Sequence, residues 1–157
     1  METNTLIQDF ENINFHDCKV YAIGFNDETN EFLMDIDYIA EWINREKKTF
    51  TFNICPATLV FENIWNLNID ISMNVNLTID NIERCNPHTP RNIKYLPPSS
   101  IEYDWNIELL QGQISFKSIG LSLFQRKTTL LSDKQFFTVG ERGGVSLERE
   151  GICISYF

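Results

Sequence analysis

In residues 101–109, IEYDWNIEL, every second position is apolar: Ile101, Tyr103, Trp105, Ile107 and Leu109 alternate with acidic and amide side chains. Successive side chains of a strand point to opposite faces, so a period of two fits a sheet with one buried face and does not fit a helix. The pattern recurs along the chain. Phe32, Met34, Ile36 and Tyr38 oppose Asp35 and Asp37; Phe50, Phe52 and Ile54 follow; then come Leu59 and Phe61, the run Trp65, Leu67, Ile69 and Ile71, and the pair Leu77 and Ile79. Only three alanines occur against twelve phenylalanines, a balance that favours pleated surfaces over helices.

Turn signals divide these runs. NDETN at 26–30 joins residues 18–25 to 31–39 as a hairpin, QGQ at 111–113 joins two further strands, and GERGG at 140–144 reads as another hairpin turn whose arginine can bind an anion. Pro56 is expected to stop the strand that contains Ile54, because proline lacks the N–H that a ladder requires. Residues 86–100 hold four of the five prolines and read as a long surface loop. Leu6, Ile7, Phe10 and Ile13 recur at helical spacing, so a short helix is expected within residues 1–14, and AEWINREKK at 40–48 is compatible with a strand or one helical turn. The sum is a mainly β chain: one domain over residues 1–157, an antiparallel sandwich or barrel of about eight strands with one or two short helices.

Charge and cysteine usage narrow the function classes. Residues 1–83 carry fifteen Asp or Glu against four Lys or Arg, and residues 84–157 seven against nine, so the first half is net −11 and the second +2. An acidic half of that size repels nucleic-acid phosphates and attracts a basic protein partner. No basic and apolar leader and no run of eighteen apolar residues is present, so the expected location is the cytoplasm, with no membrane span. Cys18, Cys55, Cys85 and Cys153 form no CxxC pair, and free, mostly buried thiols are expected. No motif requires a cofactor or a metal: there is no phosphate-cradling glycine loop, no HExxH and no nucleophile elbow.

Chemistry is concentrated in two places. His16, Asp17 and Cys18 are consecutive, and a carboxylate beside an imidazole can orient the ring and raise its proton affinity. On an extended strand, however, neighbours point apart, so His16 and Asp17 are expected to need a third group such as Asp37 folding back on them. Asp35 and Asp37 are two apart, project from one face and can approach a common cation; otherwise they form a solvated acidic face. His16, Asp17 and Asp37 are thus the candidate catalytic residues, and Asp35 with Asp37 the candidate binding pair. His88, in the proline-rich loop, has no ligand-spaced neighbour, and Trp42, Trp65 and Trp105 are expected in the core.

The pieces Phe15-His16-Asp17-Cys18, Met34-Asp35-Ile36-Asp37-Tyr38-Ile39, Cys55-Pro56-Ala57-Thr58-Leu59-Val60-Phe61, and the segment from Trp105 to Gly112 with Ile114 and Phe116 occur in a familiar order. Over residues 15 to about 126 the chain resembles a group of small bacterial proteins with FHD, LDIDYI and SPATLVF stretches, and its FHD opening is similar to that of some immunity proteins of polymorphic-toxin systems. Cys55 and Met34 depart from that pattern, which has serine and leucine there. The resemblance implies a small, acidic, non-enzymatic cytoplasmic protein that binds another protein, and it brings no catalytic residue with it. A small-ligand-binding barrel and a metal-dependent or acid/base enzyme built on His16, Asp17, Asp35 and Asp37 are the other function classes these residues allow.

Overall fold

A computed structural model describes residues 5–46, 49–72 and 75–156. Among the described residues eleven strands form two sheets: β1 Thr5–Gln8, β2 Val20–Asn26, β3 Glu31–Asn44, β4 Phe50–Glu62, β5 Trp65–Ile71, β6 Ile79–His88, β7 Glu102–Leu109, β8 Gly112–Ser118, β9 Gly120–Gln125, β10 Leu130–Ser132 and β11 Ile152–Tyr156. The large sheet has the order β1-β11-β9-β4-β3-β2, with β10 also on β4; the small sheet has the order β5-β8-β7-β6. All pairings are antiparallel except β1 with β11. The sheets stack as a sandwich and do not close into a barrel.

One contiguous core joins their inner faces. Phe32, Met34, Ile36, Leu59, Phe61, Leu121 and Leu123 of the large sheet meet Ile79, Trp105, Ile107, Ile114 and Phe116 of the small one. At its centre the Phe61 ring stands edge-on to Trp105 at 5.3 Å and to Phe116 at 4.8 Å. The Trp105 indole N–H donates to the Ser118 carbonyl at 3.1 Å, so the largest core side chain leaves no donor unmet. Burial of each such side chain is worth about 1.5–3 kcal/mol.

The alternating runs became strands as expected, and the departures have local causes. The helix expected within residues 1–14 is instead β1 followed by a single 3-10 turn, Phe10–Asn12, capped by the Asp9 carboxylate; Met1 to Asn4 lie outside the described residues. β3 continues to Asn44 past a bulge between Ile39 and Glu41, so this stretch is strand rather than helix; Lys47 and Lys48 lie outside the described residues. Pro56 does not end β4. Its carbonyl accepts from the Arg126 N–H at 3.0 Å, on the side where β9 pairing ends at Ala57 and β10 pairing begins at Ile54. A strand residue's N and O point to the same side, so the missing N–H falls in the gap between those two partners.

Two runs that read as continuous strands each split between the sheets. Residues 59–71 break at Asn63 (φ 53°) into β4 and β5, and residues 114–125 break at Ile119 into β8 and β9. Asn30, Asn63, Asn66, Asn76 and Asn86 all take positive φ, a conformation asparagine tolerates better than most residues, so the turns account for part of the asparagine content. A bulge between Trp65 and Asn68 then places Trp65 opposite Lys117 on the outer face, not in the core.

Candidate functional site

The outer face of the large sheet is covered by residues 133–150, an irregular strap, and the two candidate aspartates are what hold it. Asp35 and Asp37 share the outer face of β3, as their spacing requires, and both are fully buried. The cation they share is the chain's own Arg142. Its Nη1 and Nη2 donate to the two Asp35 oxygens at 2.7 and 2.6 Å, its Nε donates to Asp37 at 3.0 Å, and its remaining donors reach the carbonyls of Gly144 (2.7 Å) and Ile36 (3.1 Å). All five guanidinium N–H groups are therefore used. Burial opposes the charge, but the bonds to Asp35 and Asp37 outweigh it and hold Arg142 above the ordinary arginine value.

The carboxylates are equally occupied. Asp35 also accepts from Arg126 Nη2 (2.7 Å) and from the Ser146 N–H (2.9 Å); Asp37 accepts from the Tyr21 hydroxyl (2.8 Å) and the Phe137 N–H (2.7 Å). Tyr21 sits at the β2 bulge, and its ring lies 3.8 Å beneath the Arg142 guanidinium. Burial and Asp37 push its phenol well above the usual tyrosine range. Thr58 ties the strap down a third time, accepting from Arg126 at 2.6 Å and donating to the Glu148 carbonyl at 2.8 Å. Leu147 packs so closely on Gly24 that a Cβ there would lie 2.9 Å from it. Arg149 pairs with Glu31 at the end of the same strand.

These contacts change the meaning of three sequence features. The acidic face of β3 is neither solvated nor at a sheet edge, since β3 lies between β2 and β4. GERGG is not a hairpin turn between paired strands; its arginine does bind anions, and they are Asp35 and Asp37. The charge division between the halves is in part internal pairing: Glu31, Asp35 and Asp37 of the first half meet Arg126, Arg142 and Arg149 of the second. Paired, buried carboxylates with no free lone pair directed at solvent do not take a proton from a substrate.

His16 and Asp17 form a separate cluster. The imidazole Nε2 is 3.5 Å from Asp17 Oδ2, a contact the extended geometry excluded, and the reason is that Asp17 adopts φ 63° and turns its side chain back. The third group is Asp80, not Asp37: its carbonyl lies 3.0 Å and its carboxylate 3.3 Å from His16 Nδ1. Trp42 stacks on the His16 ring with 6.1 Å between centroids, and Gln135 donates to Asp17 at 3.1 Å. The side-chain contacts of this half-exposed imidazole among the described residues are two carboxylates, a carbonyl and an indole ring, none of them a hydroxyl or thiol that it could activate. The neighbouring Cys18 thiol is fully buried, and burial pushes it up to about 12. Cys55 is pushed up to about 12 by the same cause. Among the described residues no group of three or more His, Cys, Asp or Glu side chains is placed to hold a metal ion.

His88 has a partner that sequence spacing did not show. Its Nε2 lies 2.5 Å from Glu102 Oε2, a carboxylate 2% exposed, beneath the loop of residues 89–100. Arg91 of that loop lies over the Trp65 ring at 4.6 Å, and Asn92 exchanges amide hydrogen bonds with Asn63, so the proline-rich segment folds over one end of the small sheet's outer face.

The rest of that outer face is open. Its cross-strand rows run Asn68-Ser115-Asn106-Glu83 and Asp70-Gln113-Glu108-Asn81, with Lys117, Asp104 and Cys85 in the row nearer the loop. These residues are exposed or half-exposed, and Lys117 already pairs with Asp104 at 2.5 Å. Sequence reasoning missed this face because its acids, Asp70, Glu83, Asp104 and Glu108, lie on three strands that are separated along the chain. Set against models of known families, curated proteins and solved structures, the chain matches none. Among the described residues no helix is long and apolar enough to cross a membrane.

Proposed function

We propose that this protein acts by binding another protein, and that the partner is basic and docks on the open outer face of the small sheet. The observation that supports this reading is the make-up of that face: Asp70, Glu83, Asp104 and Glu108 stand among short amide and hydroxyl side chains, with Lys117 as the one cation in its rows. A flat field of fixed acceptors steers a cationic surface and gives it hydrogen-bond partners across the interface. Toxin neutralisation in the bacterial cytoplasm is the specific form that the FHD resemblance suggests. It is a binding role and not a catalytic one, in keeping with the occupied state of Asp35 and Asp37.

The test is affinity capture from cells of the source organism with the full chain, alongside an E83K/E108K variant. The expected result is a basic protein retained at about 50 mM salt, released by about 0.5 M, and lost with the variant, because exposed charges are screened within a Debye length. No partner at low ionic strength, or equal capture by the variant, contradicts the reading. Protection of cells against the product of the adjacent gene, lost with E83K/E108K, would establish the immunity form.

A further inference from the structure

Arg84 belongs to β6, where its cross-strand partner is Trp105, and like Arg91 it has aromatic rings and no ion pair as its contacts among the described residues. Its guanidinium carbon lies 4.2 Å from the centroid of Tyr103, 4.7 Å from Phe10 and 5.6 Å from Trp105, so aromatic rings hold the charge in place at the margin of the core. Rings stabilise the charge but offer no lone pairs in the plane of the N–H donors. Among the described residues no carboxylate, carbonyl or hydroxyl oxygen pairs with this side chain. With 22 Asp and Glu against 13 Lys and Arg, a shortage of carboxylates does not explain this.

A cavity of about 290 Å³ opens beside it, lined by Arg84, Tyr103, Ser99, Ser100, Ile101 and Ile119 among others. The Ser99 and Ser100 hydroxyls make no hydrogen bond to any described residue. A half-buried arginine, two serines whose hydroxyls have no partner among the described residues, and the apolar side chains of Ile101 and Ile119 thus line one space. This lies on the inner side of the small sheet, whereas the acidic face is its outer side.

We propose that this cavity binds a small molecule with a carboxylate head and an apolar body. The planar carboxylate matches the guanidinium fork, the serine hydroxyls can donate to the same oxygens, and Ile101 and Ile119 cover the apolar part. Arg84 is preorganised by its three rings, so little side-chain freedom is lost on binding.

The experiment is calorimetric and thermal-shift titration of the full chain with benzoate and hexanoate, with benzamide and hexanamide as neutral matches and inorganic phosphate as the competing anion. Benzoate or hexanoate is expected to bind and raise the melting temperature while the amides do neither. Arg84→Gln is expected to weaken carboxylate binding at least about tenfold, the scale of one charged hydrogen bond. Ser99→Trp, at an exposed loop position, is expected to fill the cavity and abolish binding with the far-UV spectrum unchanged; it decides the matter if Arg84→Gln does not fold. The proposal is overturned if neither carboxylate binds, if the amides bind equally, if phosphate binds in their place, or if both variants bind as the native chain does.

Discussion

The two sheets treat their outer faces in opposite ways. On the large sheet, Asp35 and Asp37 are sealed under a strap and every donor of Arg142 is used. On the small sheet, Asp70, Glu83 and Glu108 remain in reach of solvent. Carboxylates on strands are therefore not one kind of feature. Where a cation and backbone N–H groups meet them, they organise the fold; where no strap covers them, they stay in reach of solvent.

The sharpest break in that comparison is Arg142→Met. It leaves buried Asp37 without a cation and Asp35 with Arg126 alone, and about 3–5 kcal/mol of stability is expected to be lost in urea denaturation. Arg149→Ala removes the partner of Glu31 from a partly exposed position and is expected to cost about 1 kcal/mol or less in the same assay.

His88 adds a pH dependence beneath the proline-rich loop. The Asn86 carbonyl and then Glu102 hold the His88 pKa above its ordinary value of 6.5, while Lys117 acts in the opposite direction. Because the folded value is the raised one, the stabilisation is complete below about pH 6.5 and fades as pH rises through the folded value. Thermal melts of the native chain and His88→Gln should diverge in acid and converge in base. On the open face, Glu83→Gln and Glu108→Gln are expected to change stability by no more than about 0.5 kcal/mol. A thiol titration under native conditions should find one reactive cysteine, Cys85, because Cys18, Cys55 and Cys153 are buried.

Much of the architecture was legible because it is written at short range. The alternation around Phe32, Phe52 and Trp105 is a local signal, and it identified the strands and their buried faces. Asp35 and Asp37 were legible as a same-face pair able to approach a common cation, with a solvated acidic face as the other reading. Arg142 was not, because it lies 105 residues from Asp37 and sits in a glycine turn with no periodicity of its own. Asp17 misled for a related reason: its left-handed backbone is set by surrounding contacts, and that one dihedral converts neighbours pointing apart into neighbours touching. Trp65 was placed inward by counting in twos, and a single bulge reversed it.

The central claim, that Asp35 and Asp37 act as the anchor of a strap, is tested most directly by amide hydrogen exchange at Phe137 and Ser146, whose N–H groups donate to these carboxylates. The expected result is slow exchange at both positions in the native chain and fast exchange in Arg142→Lys, with the β7 and β8 amides unchanged. Fast exchange at Phe137 and Ser146 in the native chain, or protection unaltered in the variant, would contradict the account.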